Sequence, residues 1–331
     1  FVAVSHYMFS GINSFLLVAI PMFVLAGDIM LHSGMTRTLT NFADIFVGRM
    51  RGGLGHTNIA GSVFFSGITG SATADTTAIG SIMIPAMSDK GYSRAYATAI
   101  TVASSVIGPI IPPSLTFVIY ALAVGDVSIG GLFIAGIVPG LVTCIGLMVI
   151  NHLISRARNY PKRDFRYTKG EIFSITRKSL LVLVMPVMIA YGVISGVYTA
   201  TEAAAAAAAY ALVLSLALRR IDIAKLPGIF FGAARTSSIM FLLLATSSLL
   251  SYVLSTQGVP LKISAFLQLI TESPAVFLLI MNLVLLLIGL VLDLFPAILI
   301  FGPIFAPIAA QYGIDPLHFG VVFCVNLILG L

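Results

Sequence analysis

The sequence predicts an all-α polytopic membrane protein with two inverted-topology repeats, each containing a re-entrant helical hairpin and a broken helix. Three observations support this prediction. Hydrophobic residues make up 59% of the 331 residues and charged residues only 9%, whereas a soluble domain is about a quarter charged. Apolar runs of about 20 residues, the length that spans a bilayer, recur throughout. Two interrupted apolar stretches also resemble each other. The composition excludes a disordered chain, an ordinary soluble domain and a nucleic-acid-binding protein.

The elements follow from where the apolar runs are continuous and where they are interrupted. Helix 202–218 contains seven consecutive alanines and opens at Glu202, where a carboxylate is favourable for the helix dipole. Continuous spans are predicted at 15–31, 129–154, 179–198, 202–218, 238–256 and from 316. Half-polar or amphipathic helices are predicted at 38–51, 227–236 and 260–272. Glycine, proline or polar residues interrupt the stretches at 56–88, 95–124 and 275–311.

The interrupted stretches form an internal repeat at an offset of 222 residues. About one coincidence of glycines is expected at a given offset from ordinary usage. The offset pairs Gly67 with Gly289, Gly80 with Gly302, Pro85 with Pro307, Gly91 with Gly313 and Gly108 with Gly330. Gly34 and Gly258 extend the match at an offset of 224. We therefore predict that 56–88 and 275–311 are corresponding hairpins.

The basic residues predict how the repeats are oriented. Segment 155–178 holds eight of the 18 Lys and Arg residues, and cytoplasmic loops of membrane proteins carry such an excess. Counting spans from this loop returns the chain to the same side at Arg219 and Arg220 and makes the second repeat opposite in direction to the first. The predicted division is 1–154 for the first repeat, 155–178 for a basic cytoplasmic loop, 179–225 for scaffold helices and 226–331 for the second repeat.

Inverted repeats with helices broken at corresponding places are typical of secondary transporters whose site lies at mid-membrane. The first hairpin tip supplies hydroxyl, carbonyl and carboxylate oxygens that suit an alkali cation. The candidate Na⁺ ligands there are Gly70, Ser71, Thr73 and Asp75. Asp75 could instead only cap the outgoing helix.

The segment Gly108-Pro-Ile-Ile-Pro-Pro-Ser114 breaks the stretch 95–124. Prolines have no N–H, so carbonyls are freed for Na⁺, and the following half-helix presents its N-terminus to an anion. A simple proline kink is the alternative. Gly108 joins the candidate Na⁺ ligands. The candidate substrate-binding residues are Ser66, Ser104, Pro112, Pro113 and Ser114.

Two polar residues of the second repeat complete the candidate ion site. Asp293 lies at the predicted tip of hairpin 275–311, opposite Ser71 at the 222 offset, and Asn326 lies in the final apolar run. Ionisable residues within a membrane segment are functional candidates by default. A structural cap is the alternative for Asp293.

Several segments of the sequence also match a known protein family. The chain resembles the large membrane subunit, of DctM type, of tripartite ATP-independent periplasmic (TRAP) transporters. Besides 108–114, the matching segments are Ala19-Ile-Pro-Met-Phe-Val-Leu-Ala-Gly27, Gly67-Ile-Thr-Gly-Ser-Ala-Thr-Ala-Asp-Thr76, Thr199-Ala-Thr-Glu-Ala203 and Gly313-Ile-Asp-Pro-Leu-His-Phe-Gly320. They occur in the family's order over nearly the whole chain.

The resemblance implies Na⁺-driven uptake of an organic acid, such as a C4-dicarboxylate, sialic acid or a sugar acid, across the bacterial inner membrane. It implies that a periplasmic binding protein delivers the substrate, that a small four-helix membrane subunit is a partner, and that the hairpins move as an elevator. It places Na⁺ near Ser71, Gly108, Asp293 and Asn326. A passive anion channel is the alternative function, and an intramembrane enzyme using Asp75 and Asp293 is disfavoured.

The chain departs from the family pattern at three places. Relatives often have proline where this chain has Ala200. A first membrane helix usually precedes the position of Phe1, and a second pair of prolines usually follows Gly330. We therefore expect the sequence to be a fragment, because Phe1 is not a start residue and Leu331 interrupts an apolar run.

Overall fold

The computed structural model describes residues 2–125, 127–162 and 167–331, without the side chains of residues 2, 3, 66, 68 and 69. The predicted substrate ligand Ser66 therefore has its side chain outside the described set, as do Arg163 and Arg166 of the basic segment. The described residues form fifteen α-helices and no strand. Seven helical segments are long and apolar enough to cross a membrane. The prediction of an all-α polytopic membrane protein is confirmed.

The first half of the chain contains eight helices. They are α1 (Val2–Ile12), α2 (Ala19–His32), α3 (Met35–Val47), α4 (Gly53–Thr69), α5 (Ala72–Ser88), α6 (Arg94–Ser105), α7 (Leu115–Val124) and α8 (Ile129–Ala157). A short 3₁₀ helix, Phe15–Val18, precedes α2, and a second one, Ile223–Lys225, lies in the other half. Seven helices follow: α9 (Lys169–Ile194), α10 (Ala200–Ala217), α11 (Leu226–Thr256), α12 (Val259–Ile270), α13 (Pro274–Val291), α14 (Leu294–Gln311) and α15 (Pro316–Gly330).

Two helical pairs occupy the regions of the predicted hairpins. Helices α4 and α5 are joined by Gly70 and Ser71, and α13 and α14 by Leu292 and Asp293. Helix α4 packs against α3, α5, α6 and α8, while α13 packs mainly against α15. The division into repeats, their inverted topology and the elevator movement stay predictions.

Helix α10 packs closely along α2. Its small side chains allow this, because Ala203, Ala204 and Ala207 are at most 1% exposed and small residues let helix backbones approach. The predicted cap at Glu202 is confirmed: Thr199 N–H donates to Glu202 Oε2 at 2.8 Å, and Glu202 N–H donates to Thr199 Oγ1 at 3.2 Å. This reciprocal pair is a capping box.

Two predicted boundaries are wrong. Helices 227–236 and 238–256 are one helix, α11, because the hydroxyls of Ser237 and Ser238 bond to carbonyls of their own helix at 2.8 Å and do not interrupt it. Residues 155–157 of the predicted loop 155–178 lie in α8 and residues 169–178 lie in α9, because α9 starts at Lys169. Its start is fixed by Thr168 and Glu171, which form a second capping box. Helix α1 had no counterpart in the prediction.

Candidate functional site

The tip of the first hairpin packs against the broken segment between α6 and α7. Gly70 has φ +57°, a conformation that L side chains rarely adopt. A Cβ added there would lie 2.8 Å from Leu115 N and 3.3 Å from Pro113 O. A Cβ on Gly67 would lie 3.7 Å from Pro112 O. The glycines therefore let the hairpin backbone approach the carbonyl oxygens of both prolines.

Ser114 closes the broken segment and starts α7. Its hydroxyl donates to the Pro109 carbonyl and accepts from Phe117 N–H at 3.3 Å, so it is the N-cap of α7. Gly108 N–H donates to Ser105 O at 3.0 Å, in a turn that continues α6. The peptide bond between Pro112 and Pro113 is cis. The structure thus brings Gly70, Pro112, Pro113 and Ser114 together.

The outgoing helix of the hairpin begins with hydroxyl groups. Ser71 is the N-cap of α5, where its Oγ accepts from Ala74 N–H at 3.5 Å and lies 3.0 Å from Thr73 Oγ1. Thr76 Oγ1 donates to Ser105 Oγ at 2.6 Å, which links α5 to α6. These contacts surround the start of α5 with oxygen atoms.

Asp75 lies one turn inside α5 and is 0% exposed. Neither of its carboxylate oxygens accepts a hydrogen bond of ordinary geometry within the described part of the chain. The Ser62 hydroxyl on α4 lies beside it, outside ordinary hydrogen-bond limits. Because a buried carboxylate without a partner costs several kcal/mol, Asp75 requires a bound cation or a proton. The alternative in which it only caps the helix is not supported, since Ser71 is the cap.

A ladder of buried polar side chains, Asn58, Ser62, Thr101 and Ser104, joins α4 to α6 next to Asp75. Asn58 Nδ2 donates to Thr101 Oγ1 at 2.6 Å. Ser104 Oγ donates to Asn58 Oδ1 at 3.3 Å and lies 3.1 Å from Ser62 Oγ. All four side chains are fully buried. Ser104, a predicted substrate ligand, is therefore occupied by protein partners in this conformation.

The sequence analysis missed Asn58, Ser62 and Thr101. Their spacing contained a signal. Asn58 and Ser62 are four residues apart, and Thr101 and Ser104 are three residues apart. Residues four apart share one face of a helix. Two polar faces in apolar surroundings indicate helices that face each other.

The second hairpin presents its candidates differently. Asp293 is the N-cap of α14, is exposed, and its side chain accepts no capping hydrogen bond. Asn326 on α15 donates through Nδ2 to Asn282 Oδ1 on α13 and to Val322 O at 2.7 Å. No hydrogen bond in the described residues joins Asp293 to Asn326. Asn282 is a further polar residue that the sequence analysis missed.

The donor types fit an alkali cation better than a transition metal. No group of three or more His, Cys, Asp or Glu side chains comes together among the described residues. The first tip offers hydroxyls, proline carbonyls and one carboxylate. Discontinuous helices of transporters bind Na⁺ through such oxygens.

Comparison with known proteins gives the family. The model for "Tripartite ATP-independent periplasmic transporter, DctM component" matches residues 1–331. An uncharacterized protein, YgiK, of Salmonella typhimurium is 43% identical over 99% of this chain and 75% of its own length. The sialic acid TRAP transporter large permease protein SiaM of Vibrio cholerae is 38% identical over 99% of this chain and 76% of its own. The C4-dicarboxylate TRAP transporter large permease protein DctM of Pseudomonas aeruginosa is 36% identical over 98% and 76%.

These matches cover nearly the whole chain and agree with its seven candidate membrane spans. They show a membrane transport protein and not an enzyme. The chain belongs to the DctM component family of the tripartite ATP-independent periplasmic transporters.

Proposed function

We propose that this chain forms the pathway for Na⁺-coupled uptake of an organic acid across the bacterial inner membrane. The observation that carries the proposal is Asp75, a fully buried carboxylate without a hydrogen-bond partner of ordinary geometry among the described residues. Na⁺ bound at the first hairpin tip would neutralise it. The hydroxyls of Ser71 and Thr73 and the carbonyls of Pro112 and Pro113 are the further ligands we assign to this tip.

The substrate class is supported by the relatives and by the helix ends. The printed names of two relatives specify sialic acid and C4-dicarboxylate, both of which carry carboxylates. Helix α7 starts at Ser114, beside the first hairpin, and a helix N-terminus favours an anion. We assign the substrate carboxylate to this N-terminus. Ser66 stays a predicted ligand, and Ser114 would donate to the carboxylate only after its hydroxyl leaves the Pro109 carbonyl. Ser104 would take part only after the α4–α6 contact rearranges.

The tripartite description of the family supports a proposal of two partners for this chain. We propose a periplasmic binding protein that delivers the acid and a small four-helix membrane subunit that packs against this chain. In this proposal the two hairpins carry ion and substrate across the membrane as an elevator. Cation binding at Asp75 would come first, because it removes a buried charge that repels the substrate carboxylate.

The test is uptake into proteoliposomes that contain the full-length protein with its small subunit and binding protein. Succinate and N-acetylneuraminate serve as probes. We expect an inward Na⁺ gradient to drive accumulation, and choline in place of Na⁺ to abolish it. Equilibration that is indifferent to Na⁺ and to the binding protein would favour the alternative, a passive anion channel.

A further inference from the structure

A cavity of about 730 Å³ lies at the base of the first hairpin, far from its tip. Its walls are α3, α4, α5 and the segment that follows α8. On α5 it reaches only to Ile82 and Met83. Ile82, the nearer of the two, is seven residues from Asp75, or about 10 Å at 1.5 Å per residue. The cavity is therefore separate from the candidate ion site, and its volume is typical of sites for small molecules.

Most of the charged side chains in the described lining of this cavity are cationic. Arg37, Lys90 and Lys162 line it, and Asp44 is the single acidic residue among the described lining residues. Asp44 is only 7% exposed and already accepts hydrogen bonds from Tyr167 OH at 2.6 Å and Thr57 Oγ1 at 3.1 Å. The two hydroxyls hold this carboxylate in place, and the three cations leave the described lining with an excess of positive charge.

A second cavity of about 170 Å³ adjoins the first and shares Arg37 and Asn41 with it. Lys178 and Arg220 add two cations there, with no acidic residue in its described lining. Charges of one sign in a cleft focus the electrostatic field and raise the local concentration of the opposite ion. Guanidinium groups also bind carboxylates through two parallel hydrogen bonds.

We propose that these two cavities form one anion site that takes a carboxylate of the transported acid on the cytoplasmic face. The basic residues assign this end of the hairpin to the cytoplasm. The occupant's class rests on the proposed function, because the site then lies on the route by which the acid leaves the hairpin. The cations hold the carboxylate, and the apolar lining residues Leu54, Ile82 and Met83 contact the carbon skeleton. The site therefore favours organic acids over inorganic phosphate and selects only weakly among them.

The lining of the deep part of the larger cavity favours an organic acid over a lipid as the occupant. Thr40, Thr57 and Tyr92 line this part and are each at most 5% exposed. Thr57 lies on α4 and Tyr92 lies between α5 and α6. The deep part of the cavity is therefore enclosed by protein on both sides. The hydroxyls of Thr40 and Thr57 already donate to Thr36 O and Asp44, so they offer acceptor oxygens to hydroxyl groups of a small polar acid. An anionic lipid would contact only the exposed lysines at the rim.

The test measures protection of a reporter thiol in the full-length protein. Asn41 lines both cavities and is exposed, and the two cysteines of the chain, Cys144 and Cys324, are buried. The Asn41→Cys variant in phosphatidylcholine nanodiscs is alkylated with N-ethylmaleimide in Na⁺-free buffer, and the protein without this substitution gives the background. Succinate, N-acetylneuraminate and inorganic phosphate are the probes.

We expect both carboxylates to slow alkylation at least fivefold in a saturable way, and phosphate to do so less. Adding Lys90→Gln and Lys162→Gln should remove the protection. Adding Lys225→Gln should leave it unchanged, because Lys225 is an exposed lysine outside both linings. Size-exclusion profiles report whether each variant is folded.

Any one of three results with the anion probes would overturn the proposal. They are no protection by either carboxylate, protection that survives Lys90→Gln with Lys162→Gln, and protection by phosphate as strong as by the carboxylates. Protection that appears only in nanodiscs containing phosphatidylglycerol would also overturn it, in favour of a lipid headgroup. Na⁺-driven uptake is measured separately, so a failure of this site is distinguishable from a failure of the proposed function.

Discussion

The two helical hairpins place an acidic residue near the tip in different surroundings. In the α4–α5 hairpin, Asp75 lies inside the outgoing helix, fully buried beside the polar ladder. In the α13–α14 hairpin, Asp293 is the N-cap of the outgoing helix and is exposed. The same charged group therefore costs much more free energy at the first tip than at the second. This difference teaches that burial, and not position in the hairpin, decides which carboxylate needs a cation.

The first helices of the two hairpins, α4 and α13, also differ in burial, and the first hairpin is again the more enclosed. Helix α4 is enclosed by six other helices. Helix α13 exposes Leu283, Leu287 and Leu290 by 60%, 64% and 74%. A fully enclosed tip lacks water to solvate an ion, so protein oxygens must do so.

The largest expected effect tests this contrast directly. Asp75→Asn should lower Na⁺-driven uptake by about 100-fold, corresponding to about 2.7 kcal/mol, because the buried charge that binds the cation is lost. The apparent Tm should stay the same or rise, since an unpaired buried carboxylate is removed. Uptake assays and thermal unfolding in detergent measure the two quantities.

Asp293→Asn is the matched variant at the second tip. We expect uptake to fall less than tenfold, with a weaker apparent affinity for Na⁺, because solvent already screens the Asp293 charge. An Asp293→Asn variant as inactive as Asp75→Asn would break the comparison. Unchanged Na⁺ dependence would remove Asp293 from the ion site.

The second prediction concerns the close approach at the first tip. Gly70→Ala should lower the free energy of unfolding by about 2–4 kcal/mol, because the left-handed conformation and the short contact to Leu115 N both oppose a methyl group. Gly146→Ala is the control, since Gly146 lies within α8 and an added Cβ meets nothing within 4 Å. We expect Gly146→Ala to be neutral or slightly stabilising. Equal Tm values for the two variants would contradict the described packing.

The third prediction measures the polar contact of the second hairpin. Asn282→Ala and Asn326→Ala should each destabilise the protein by about 1–2 kcal/mol, because each leaves the other amide without its partner. A double-mutant cycle should give a coupling of about 0.6–1.7 kcal/mol, the range for polar pairs within membranes. Additive effects would mean that the two amides do not bond.

The smallest effect is expected for the helix cap at the first tip. The Ser71→Ala variant should lose about 0.5–1 kcal/mol, since the hydrogen bond from Ala74 N–H is long at 3.5 Å. Uptake should show a weaker apparent Na⁺ affinity as well, because the same hydroxyl is an assigned ligand. A stability loss with unchanged Na⁺ affinity would restrict Ser71 to capping.

Much of the fold could be predicted because charged residues are rare in this sequence and clusters of glycine, proline and polar residues mark the interruptions. The predicted hairpin stretch 275–311 differs by one residue from the helices that end at Gln311 and begin at Pro274. The break at 108–114 was predictable because consecutive prolines cannot continue a helix. Both signals are local, and a local signal can be read from a single sequence.

Contacts between distant segments could not be predicted in the same way. Asn282 and Asn326 are 44 residues apart, and neither position indicates which helix faces it. The predicted helices 227–236 and 238–256 were separated at residue 237, yet the hydroxyls of Ser237 and Ser238 each bond within α11. Burial separates Asp75 from Asp293, and burial is a property of tertiary packing that periodicity does not contain.

Gly34 and Gly258 adopt the same backbone conformation in the two halves of the chain. Gly34 precedes α3 and Gly258 precedes α12, both with φ +66° and with ψ of 20° and 24°. An added Cβ would meet nothing within 4 Å at either residue. Backbone hydrogen bonds hold these corners, from Gly34 N–H to Leu31 O at 3.2 Å and from Gly258 N–H to Ser255 O at 3.0 Å. Glycine is therefore required at each corner by backbone conformation and not by space, so a β-branched residue would strain the turn without touching the rest of the protein.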